Sequence, residues 1–343
     1  MKFHPPECPN PACSSHSAGN FHYQRKGQYR RKCDGRLIPR FLCGSCGRQF
    51  SSQTFRFTFR YRRPNLRLQL FQLLNAKVTM RQAARILGCS RDTVNRLHRK
   101  MGRTCREYHQ IYLEENRGKV HGTFQLDELE TFETHRLVRP VTVPVLIERK
   151  SYFVFYTEAA PMGPRGRLHP AAKKCKDADE VLFGKRRSGS REAVKRTLQL
   201  LRQLLPVDQC LNLQTDRKAT YRSLARQIFP DCLGSHVRES SRRRRDYRNV
   251  LFPINHTLAM MRDGISRLVR RSWGASKLRE RLEDHMAIWM AYRNYVRGIT
   301  VSAPNTTPAM ALGIQSKPSN AGEILAWRWP KIMAKRPAKQ ARF

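Results

Sequence analysis

Two close pairs of cysteines near the N-terminus constrain the fold of this chain more than any other feature. Cys8 and Cys13 form the first pair, and Cys43 and Cys46 form the second, with the residues of a short hairpin between them. Two such pairs supply the four thiolates of a tetrahedral structural zinc site. The sequence therefore predicts a zinc ribbon over residues 1–55, a segment too small to build a core without a metal ion.

Two parts of this N-terminal region leave alternatives open. The gap within the first cysteine pair is slightly long, so Cys33 or His16 could replace one of its ligands, and four unligated buried cysteines are the other interpretation. Residues 51–65 alternate aromatic with polar or basic side chains and predict a strand. Its arginine face would either meet phosphate or be solvated.

The chain is strongly basic along its whole length. Lys and Arg number 67 and Asp and Glu 26, which gives a formal net charge of +41. This excess indicates a polyanionic partner, and its spread favours a large nucleic-acid footprint over a membrane surface. Double-stranded DNA is the expected partner, and structured RNA is the alternative. No apolar run approaches the roughly 20 residues of a membrane span, and no signal peptide begins the chain. We therefore expect a cytoplasmic protein without membrane contact.

Residues 56–102 carry the pattern of a helix-turn-helix domain. Thr79 and Ser90 can cap two successive helices, and Gly88 supplies the left-handed residue of the turn between them. Ala84 is small where the helices would cross, and Val94 would pack the second helix onto the first. An ordinary helical hairpin is the alternative. The second helix carries side chains suited to a DNA groove, namely Arg91, Thr93, Asn95, Arg96 and Arg99.

A predicted linker helix over residues 103–120 leads into an acidic stretch over residues 123–133. Apolar side chains alternate there with Gln125 and Asp127, which predicts a β-strand. A concentration of carboxylates within a polycation is what a divalent-metal site for nucleic-acid chemistry requires, and a solvated edge strand is the alternative. The acids of this stretch are Asp127, Glu128, Glu130 and Glu133.

The residues that follow predict an alternation of strands and helices. Residues 141–147 and 152–156 would complete an antiparallel meander with the acidic strand, and residues 160–190 predict an exposed loop. Asp216 follows the next predicted strand. The remaining predicted elements are strands at 210–214 and 235–240, helices at 190–205 with Ser190 as cap, at 218–229, from Pro253, and at 276–295, and a basic C-terminal tail over 301–343.

Four motifs carry a resemblance to a known family. They are the closing segment of the ribbon at residues 43–51, Leu126-Asp127-Glu128, Thr215-Asp216 with Tyr221, and the segment 254–277. Over about residues 5–315 the chain resembles bacterial insertion-sequence transposases of the DDE class. The resemblance is to the group that carries a zinc ribbon and a helix-turn-helix in front of an RNase-H-like catalytic domain.

The resemblance implies a multidomain α/β chain. Its parts would be a zinc ribbon (1–55), a helix-turn-helix domain (56–102), a linker helix (103–120), an RNase-H-like catalytic domain with a mixed five-stranded sheet flanked by helices (121–300), and the tail (301–343). It also implies a transposase that binds the ends of a mobile element as a homodimer on DNA, in the bacterial cytoplasm at the nucleoid. A catalytically inactive, sequence-specific DNA-binding protein is the alternative.

The resemblance also implies a catalytic site for magnesium or manganese ions. Its ligands would be Asp127, Asp216 and Asn255, and Asn255 stands where the family usually has Glu. Arg262, seven residues further on, keeps the family's spacing for a phosphate contact. Asp263 and His256 are less favoured as third ligand, and Glu128 would be a helper or a solvated neighbour.

Overall fold

The computed structural model describes residues 3–16, 21–56, 59, 63, 65–269 and 274–327. The chain forms two compact units, Met1–Leu66 and Arg67–Phe343. Among the described residues, no helix is both long and apolar enough to cross a membrane.

The first unit is built on a three-stranded antiparallel sheet in the order β1-β2-β3. Phe41 and Phe50 stack with their ring centroids 5.6 Å apart and share a small core with Cys8, Cys13 and Cys43. A core of this size is typical of a unit that depends on a metal ion. The strands are β1 (Tyr23–Arg30), β2 (Leu37–Cys43) and β3 (Gln49–Ser51).

The strand predicted over residues 51–65 is absent from its described part. Ser52–Phe55 forms a 3-10 turn instead. The backbone N–H of Ser51 donates to the hydroxyl of Thr54 at 3.4 Å, a local bond that favours a turn over an extended chain. Residues 57, 58, 60–62 and 64 of this prediction lie outside the described residues.

The second unit begins with three helices, α1 (Leu66–Asn75), α2 (Met80–Ile86) and α3 (Arg91–Glu115). The side chain of Thr79 accepts from the N–H of Gln82, and that of Ser90 accepts from the N–H of Thr93, so both predicted caps are present. Gly88 has φ of 54°, as the predicted turn requires. Val94 is fully buried against the first helix of the pair.

α3 runs for 25 residues without a break and passes through the predicted boundary at residue 102. The prediction of a separate linker helix was wrong in this respect. Met101, Cys105 and Tyr108 continue the buried face of α3 along α8 (Arg279–Tyr295), which packs against it. Because this face has no interruption, one helix extends from the turn into the body of the unit.

A six-stranded mixed sheet forms the centre of the second unit. Its strand order is β6-β5-β4-β8-β9, with β7 paired to β5. The meander β4-β5-β6 is antiparallel, as predicted, and β8 and β9 run parallel to β4. The strands are β4 (Thr123–Phe132), β5 (Pro140–Glu148), β6 (Val154–Thr157), β7 (Ala160–Pro161), β8 (Leu211–Asp216) and β9 (Leu233–Glu239).

Helices cover both faces of this sheet. α7 (Phe252–Gly264) and α8 pack through Ile254, Met261 and Trp289 on the face that carries Leu129. α5 (Ser190–Leu204) and α6 (Ala219–Ile228) pack against the opposite face. β4 is therefore a central strand, and the alternative of a solvated edge strand was wrong. Phe124, Gln125 and Leu126 are all fully buried.

Three further predictions differ from the structure. The predicted loop over 160–190 contains α4 (Pro170–Phe183), which is capped by the side chain of His169. Gly189, rather than Ser190, is the N-cap of α5. The predicted tail contains α9 (Pro308–Ala311) and α10 (Ala321–Ala326), whose buried Ala309, Ile324 and Leu325 attach it to the unit. Residues 328–343 of the tail lie outside the described residues.

Candidate functional site

Asp127 and Asp216 lie at matching positions of the neighbouring parallel strands β4 and β8, one residue beyond the last pair, Leu126 and Thr215. Gln125 lies opposite Gln214 in this ladder, and each aspartate stands two positions further along its strand. Because side chains alternate between faces, the two aspartates share the sheet face of the two glutamines. Adjacent strands lie about 4.8 Å apart, so the two carboxylates are neighbours.

Gln125 connects this sheet face to the start of α7. Its Nε2 donates to Oε1 of Gln214 and to the carbonyl of Val250, both at 2.7 Å, and its Oε1 accepts from the N–H of Ile254 at 2.9 Å. These bonds satisfy a fully buried amide. They also fix the first turn of α7 over the strands that carry both aspartates.

Asn255 follows in this first turn and is half-buried. Arg262 lies seven residues further along α7, and its Nη2 donates to the carbonyl of Glu130 on β4 at 3.4 Å. Seven residues of α-helix make almost two full turns, so Asn255 and Arg262 share one face of α7. Asn255 lies about 100° around α7 from the buried Ile254, at the edge of the helix face that packs against the sheet.

Burial raises the pKa of Asp127 to about 6. The N–H of Glu128, which donates to Oδ1 of Asp127 at 2.7 Å, lowers this pKa, the nearby carboxylate of Asp216 raises it, and Arg245 lowers it. A carboxylate whose charge is disfavoured by burial and by a neighbouring carboxylate is an arrangement that a divalent cation relieves. Arg245 belongs to the basic run 242–245, which therefore lies beside the pair.

Glu128 faces the opposite side of the sheet and is neither solvated nor part of the aspartate pair. Its side chain is 6% exposed and accepts four hydrogen bonds. Burial alone would raise its pKa, but the bonds from Lys218 and Ser190 outweigh burial and hold the pKa below its usual value. The donors are Oγ of Ser190 (2.6 Å), Oγ1 of Thr142 (2.8 Å), Oη of Tyr221 (3.0 Å) and Nζ of Lys218.

The two less favoured third ligands have other partners. Asp263 is 88% exposed at its side chain and pairs with Lys77 at 3.5 Å. His256 packs its ring against Tyr152 and Phe252, with centroids 5.9 and 5.8 Å away. Both side chains are therefore engaged by groups other than the two aspartates.

The other two acids of the stretch 123–133 form ion pairs. Glu130 pairs with Arg165 at 2.6 Å, with both side chains exposed. Glu133 is buried and pairs with Arg186 at 2.8 Å and Arg279 at 3.3 Å. The buried Glu133 therefore joins Arg186 and Arg279 to the end of the strand, whereas the exposed pair of Glu130 contributes little to stability.

Glu239, which no sequence motif predicted as a site residue, ends β9 opposite Asp216 in the parallel ladder. Its side chain is 13% exposed and pairs with Arg243 at 2.6 Å. The hydrogen bond from the N–H of Ser240 and the pairing with Arg243 lower its pKa. Only the strand register shows this proximity, because 22 residues, including a helix, separate Asp216 from Glu239 in the sequence and no motif marks the pair.

The four predicted cysteines of the first unit form one cluster. The sulfur atoms of Cys8, Cys13, Cys43 and Cys46 all lie within 4.8 Å of one another. Cys8 and Cys46 are 3.6 Å apart and Cys13 and Cys43 3.8 Å, close to the roughly 3.8 Å between two ligands of a tetrahedral zinc ion with 2.3 Å bonds. The cluster therefore fits a structural zinc ion.

The two alternative zinc ligands lie outside this cluster. Nδ1 of His16 is 2.6 Å from the carbonyl of Cys8, and the exposed Cys33 contacts Asp34 through its sulfur. The first cysteine pair therefore supplies both of its own sulfurs despite its longer gap.

The predicted groove-binding side chains lie at the start of α3. Arg91, Arg96 and Arg99 are exposed, and Thr93 and Asn95 are half-buried. The hydroxyl of Thr93 accepts from that of Ser90 at 3.0 Å, so it is engaged in the helix cap. The three arginines are accessible to a polyanion.

No protein-family model and no curated protein matches this chain. Among solved structures, one match is the crystal structure of a pre-cleavage Mos1 transpososome. It covers 66% of this chain and 76% of that one, with 12% sequence identity and a TM-score of 0.18. At that TM-score the match supports no inference about this chain.

Proposed function

We propose that this protein is a DNA transposase with an RNase-H-like catalytic domain, which cuts and joins DNA at the ends of a mobile element. The observation that carries this proposal is the pair Asp127 and Asp216, in register on parallel strands of a mixed sheet. The strand order, third-second-first-fourth-fifth with an antiparallel meander first, also supports an RNase-H-like fold. The net charge of +41 supports DNA as the substrate.

In the proposed site, Asp127, Asp216 and Asn255 would hold magnesium or manganese. Carboxylate and amide oxygens are the hard donors that these ions take, and the mutual repulsion of the two aspartates favours a cation between them. When bound, two such ions activate the attacking oxygen and stabilise the leaving oxygen of a phosphodiester. Arg262 would orient a phosphate next to β4.

DNA recognition is assigned to the helix-turn-helix and the zinc ribbon. Arg91, Arg96 and Arg99 would contact base edges and phosphates from the start of α3, with Thr93 and Asn95 beside them. The cysteine cluster would hold a structural zinc ion. Two element ends must meet during transposition, so a homodimer on DNA belongs to the same proposal, as does a place in the bacterial cytoplasm at the nucleoid.

The deciding experiment is magnesium-dependent cleavage of a duplex that carries the element's own terminal sequence. We expect the wild-type protein to cut it, Asp127→Ala and Asp216→Ala to lose at least 1,000-fold in rate, about 4 kcal/mol of activation free energy, and Asn255→Ala to lose less because a neutral ligand binds more weakly. Asp263→Ala is the matched control, because this acid lies on α7 and pairs with Lys77.

The second candidate function is sequence-specific DNA binding without catalysis. The neutral Asn255 favours it, because the amide brings no charge to a metal site. Equal inactivity of the wild type and both aspartate variants, with retained binding of the end duplex, would establish this alternative.

A further inference from the structure

Glu128 and Lys218 link the two strands that carry the aspartates. Glu128 follows Asp127 on β4, and Lys218 lies two residues after Asp216 at the end of β8. Their side chains form a salt bridge in which Glu128 is 6% and Lys218 32% exposed. This pair therefore connects the loop after β8 to the central strand from the sheet face opposite to the aspartates.

Each member of this pair also donates a backbone hydrogen bond to one aspartate. The N–H of Glu128 donates to Oδ1 of Asp127 at 2.7 Å, and the N–H of Lys218 donates to Oδ1 of Asp216 at 2.8 Å. Both bonds end on Oδ1 of their carboxylate, so neither of them occupies Oδ2. Each aspartate carboxylate therefore accepts one backbone hydrogen bond from a residue of this ion pair.

The carboxylate of Glu128 has more hydrogen-bond donors than its ion pair with Lys218 alone supplies. Besides Lys218 it accepts bonds from Thr142 on β5, Ser190 at the start of α5 and Tyr221 on α6. Oγ of Ser190 is also 3.2 Å from Nζ of Lys218. A buried carboxylate whose lone pairs all accept hydrogen bonds is held in one orientation. Its salt bridge then fixes the position of the ammonium group of Lys218.

We propose that Glu128 and Lys218 are positioning residues that orient the carboxylates of Asp127 and Asp216 for divalent metal. This inference rests on the proposed function. Neither side chain contacts the metal or the DNA; Glu128 fixes Lys218, and the main chain of each residue fixes one aspartate. Supporting groups of this kind change metal affinity by about 10–100-fold when they are removed.

The test is the affinity of the full-length protein for Mn²⁺ without DNA, measured by electron paramagnetic resonance. We expect Glu128→Gln and Lys218→Met to weaken Mn²⁺ binding at least about 10-fold, and Lys218→Arg to retain most of the affinity because it keeps the charge. Glu130→Gln is the matched control, because Glu130 lies two positions along the same face of β4 and is exposed. It should bind Mn²⁺ as the wild type does.

Two further measurements separate positioning from folding and from the proposed function. Circular dichroism and binding of the end duplex in EDTA should be the same for Lys218→Met and the wild type, and this variant is informative even where Glu128→Gln does not fold. Wild-type Mn²⁺ affinity in a folded Lys218→Met protein would overturn the inference and leave the proposed function standing. Absence of any Mn²⁺ site that depends on Asp127 and Asp216 in the wild type would overturn both.

Discussion

Three histidine side chains, those of His98, His109 and His285, are buried in the second unit. Burial lowers the pKa of His285 to about 3 and of His109 to about 4, and it also lowers that of His98 well below its usual value. The rings of His98 and His285 meet edge to face, 5.5 Å apart. His109 is held between the hydroxyl of Tyr295 at 2.8 Å and the carbonyl of Phe155 at 3.0 Å. All three histidines are therefore uncharged in the folded protein near neutral pH.

These histidines predict a loss of stability in mild acid. Below about pH 6.5 the unfolded chain binds protons that the folded protein rejects, so the free energy of unfolding falls as the pH drops toward the folded pKa values. At pH 5, His109 and His285 each cost about 2 kcal/mol. Urea unfolding at pH 7.5 and 5.0 should show this fall, and His109→Gln should show a smaller one.

His121→Gln is the control for this prediction, because His121 is exposed. It should keep the wild-type difference between the two pH values. An equal difference in the wild type and His109→Gln would contradict the assignment of the acid sensitivity to buried histidine.

The places of candidate site residues could be predicted where they depend on the local sequence. The strand pattern predicted the places of Asp127 and Asp216, whereas their pairing as ligands was implied by the family resemblance. In the structure each lies one position beyond the last pair of the parallel ladder, Leu126 and Thr215. The same alternation gave no information about Glu128, because the groups that bury it come from α5 and α6, many residues later in the chain. Which face of a strand is covered depends on tertiary packing, so sequence alone left Glu128 among the helpers and solvated neighbours.

At the scale of elements, the contact between α3 and α8 depends on a glycine. A Cβ on Gly102 would lie 2.6 Å from Cβ of Asp284, closer than two carbons can approach. Arg106, one turn further along α3, pairs with Asp284 at 3.2 Å. Glycine at position 102 therefore permits the close approach of two helices that together carry much of the core.

Gly102→Ala should destabilise the protein although alanine favours the helix. Alanine would gain about 1 kcal/mol of helix propensity, but separating α3 from α8 costs about 1–3 kcal/mol, so we expect a net loss. The measurement is urea unfolding followed by circular dichroism. Arg103→Ala, at the exposed neighbouring position, should change stability by less than about 0.5 kcal/mol. A Gly102→Ala protein more stable than the wild type would contradict the close-packing argument.

Caps and periodicity predicted α2 and the start of α3 well, because Thr79 and Ser90 act within four residues. The end of α3 was harder to predict. Its continuation past residue 102 is stabilised by α8, which lies far away in sequence. α4 was missed for a related reason, since its residues bury little and Gly, Pro and basic residues surround it. Elements that depend on local bonds are visible in a sequence, whereas those that depend on distant partners are not.

At the level of the whole molecule, the two units have separate cores, and the cysteine cluster found among the described residues belongs to the first. All four tryptophans lie in the sequence of the second unit, including the buried Trp289. Tryptophan fluorescence therefore reports on the second unit, and zinc content reports on the first.

Removal of zinc should unfold the first unit and leave the second folded. We expect the purified protein to contain one zinc ion per chain by atomic absorption, and Cys43→Ser to lose it, because three thiolates bind the ion much more weakly than four. The urea transition seen by tryptophan fluorescence should not change. Cys33→Ser is the control and should keep its zinc, and loss of zinc from this variant instead would reject the ligand set.

The continuous α3 has a consequence for the geometry of DNA cleavage. Its 25 residues span about 37 Å at 1.5 Å per residue, which is about 11 base pairs of duplex. Arg91, Arg96 and Arg99 lie at one end of this helix, and the other end is packed into the unit that holds Asp127 and Asp216. Under the proposed function, the length of α3 and the rotation along it set the distance between the recognised bases and the position of the cut. A one-residue insertion in α3 would turn the arginines by about 100° relative to the sheet. The spacing between the recognised bases and the cut in an element's terminal sequence must therefore change together with the length of this helix in evolution.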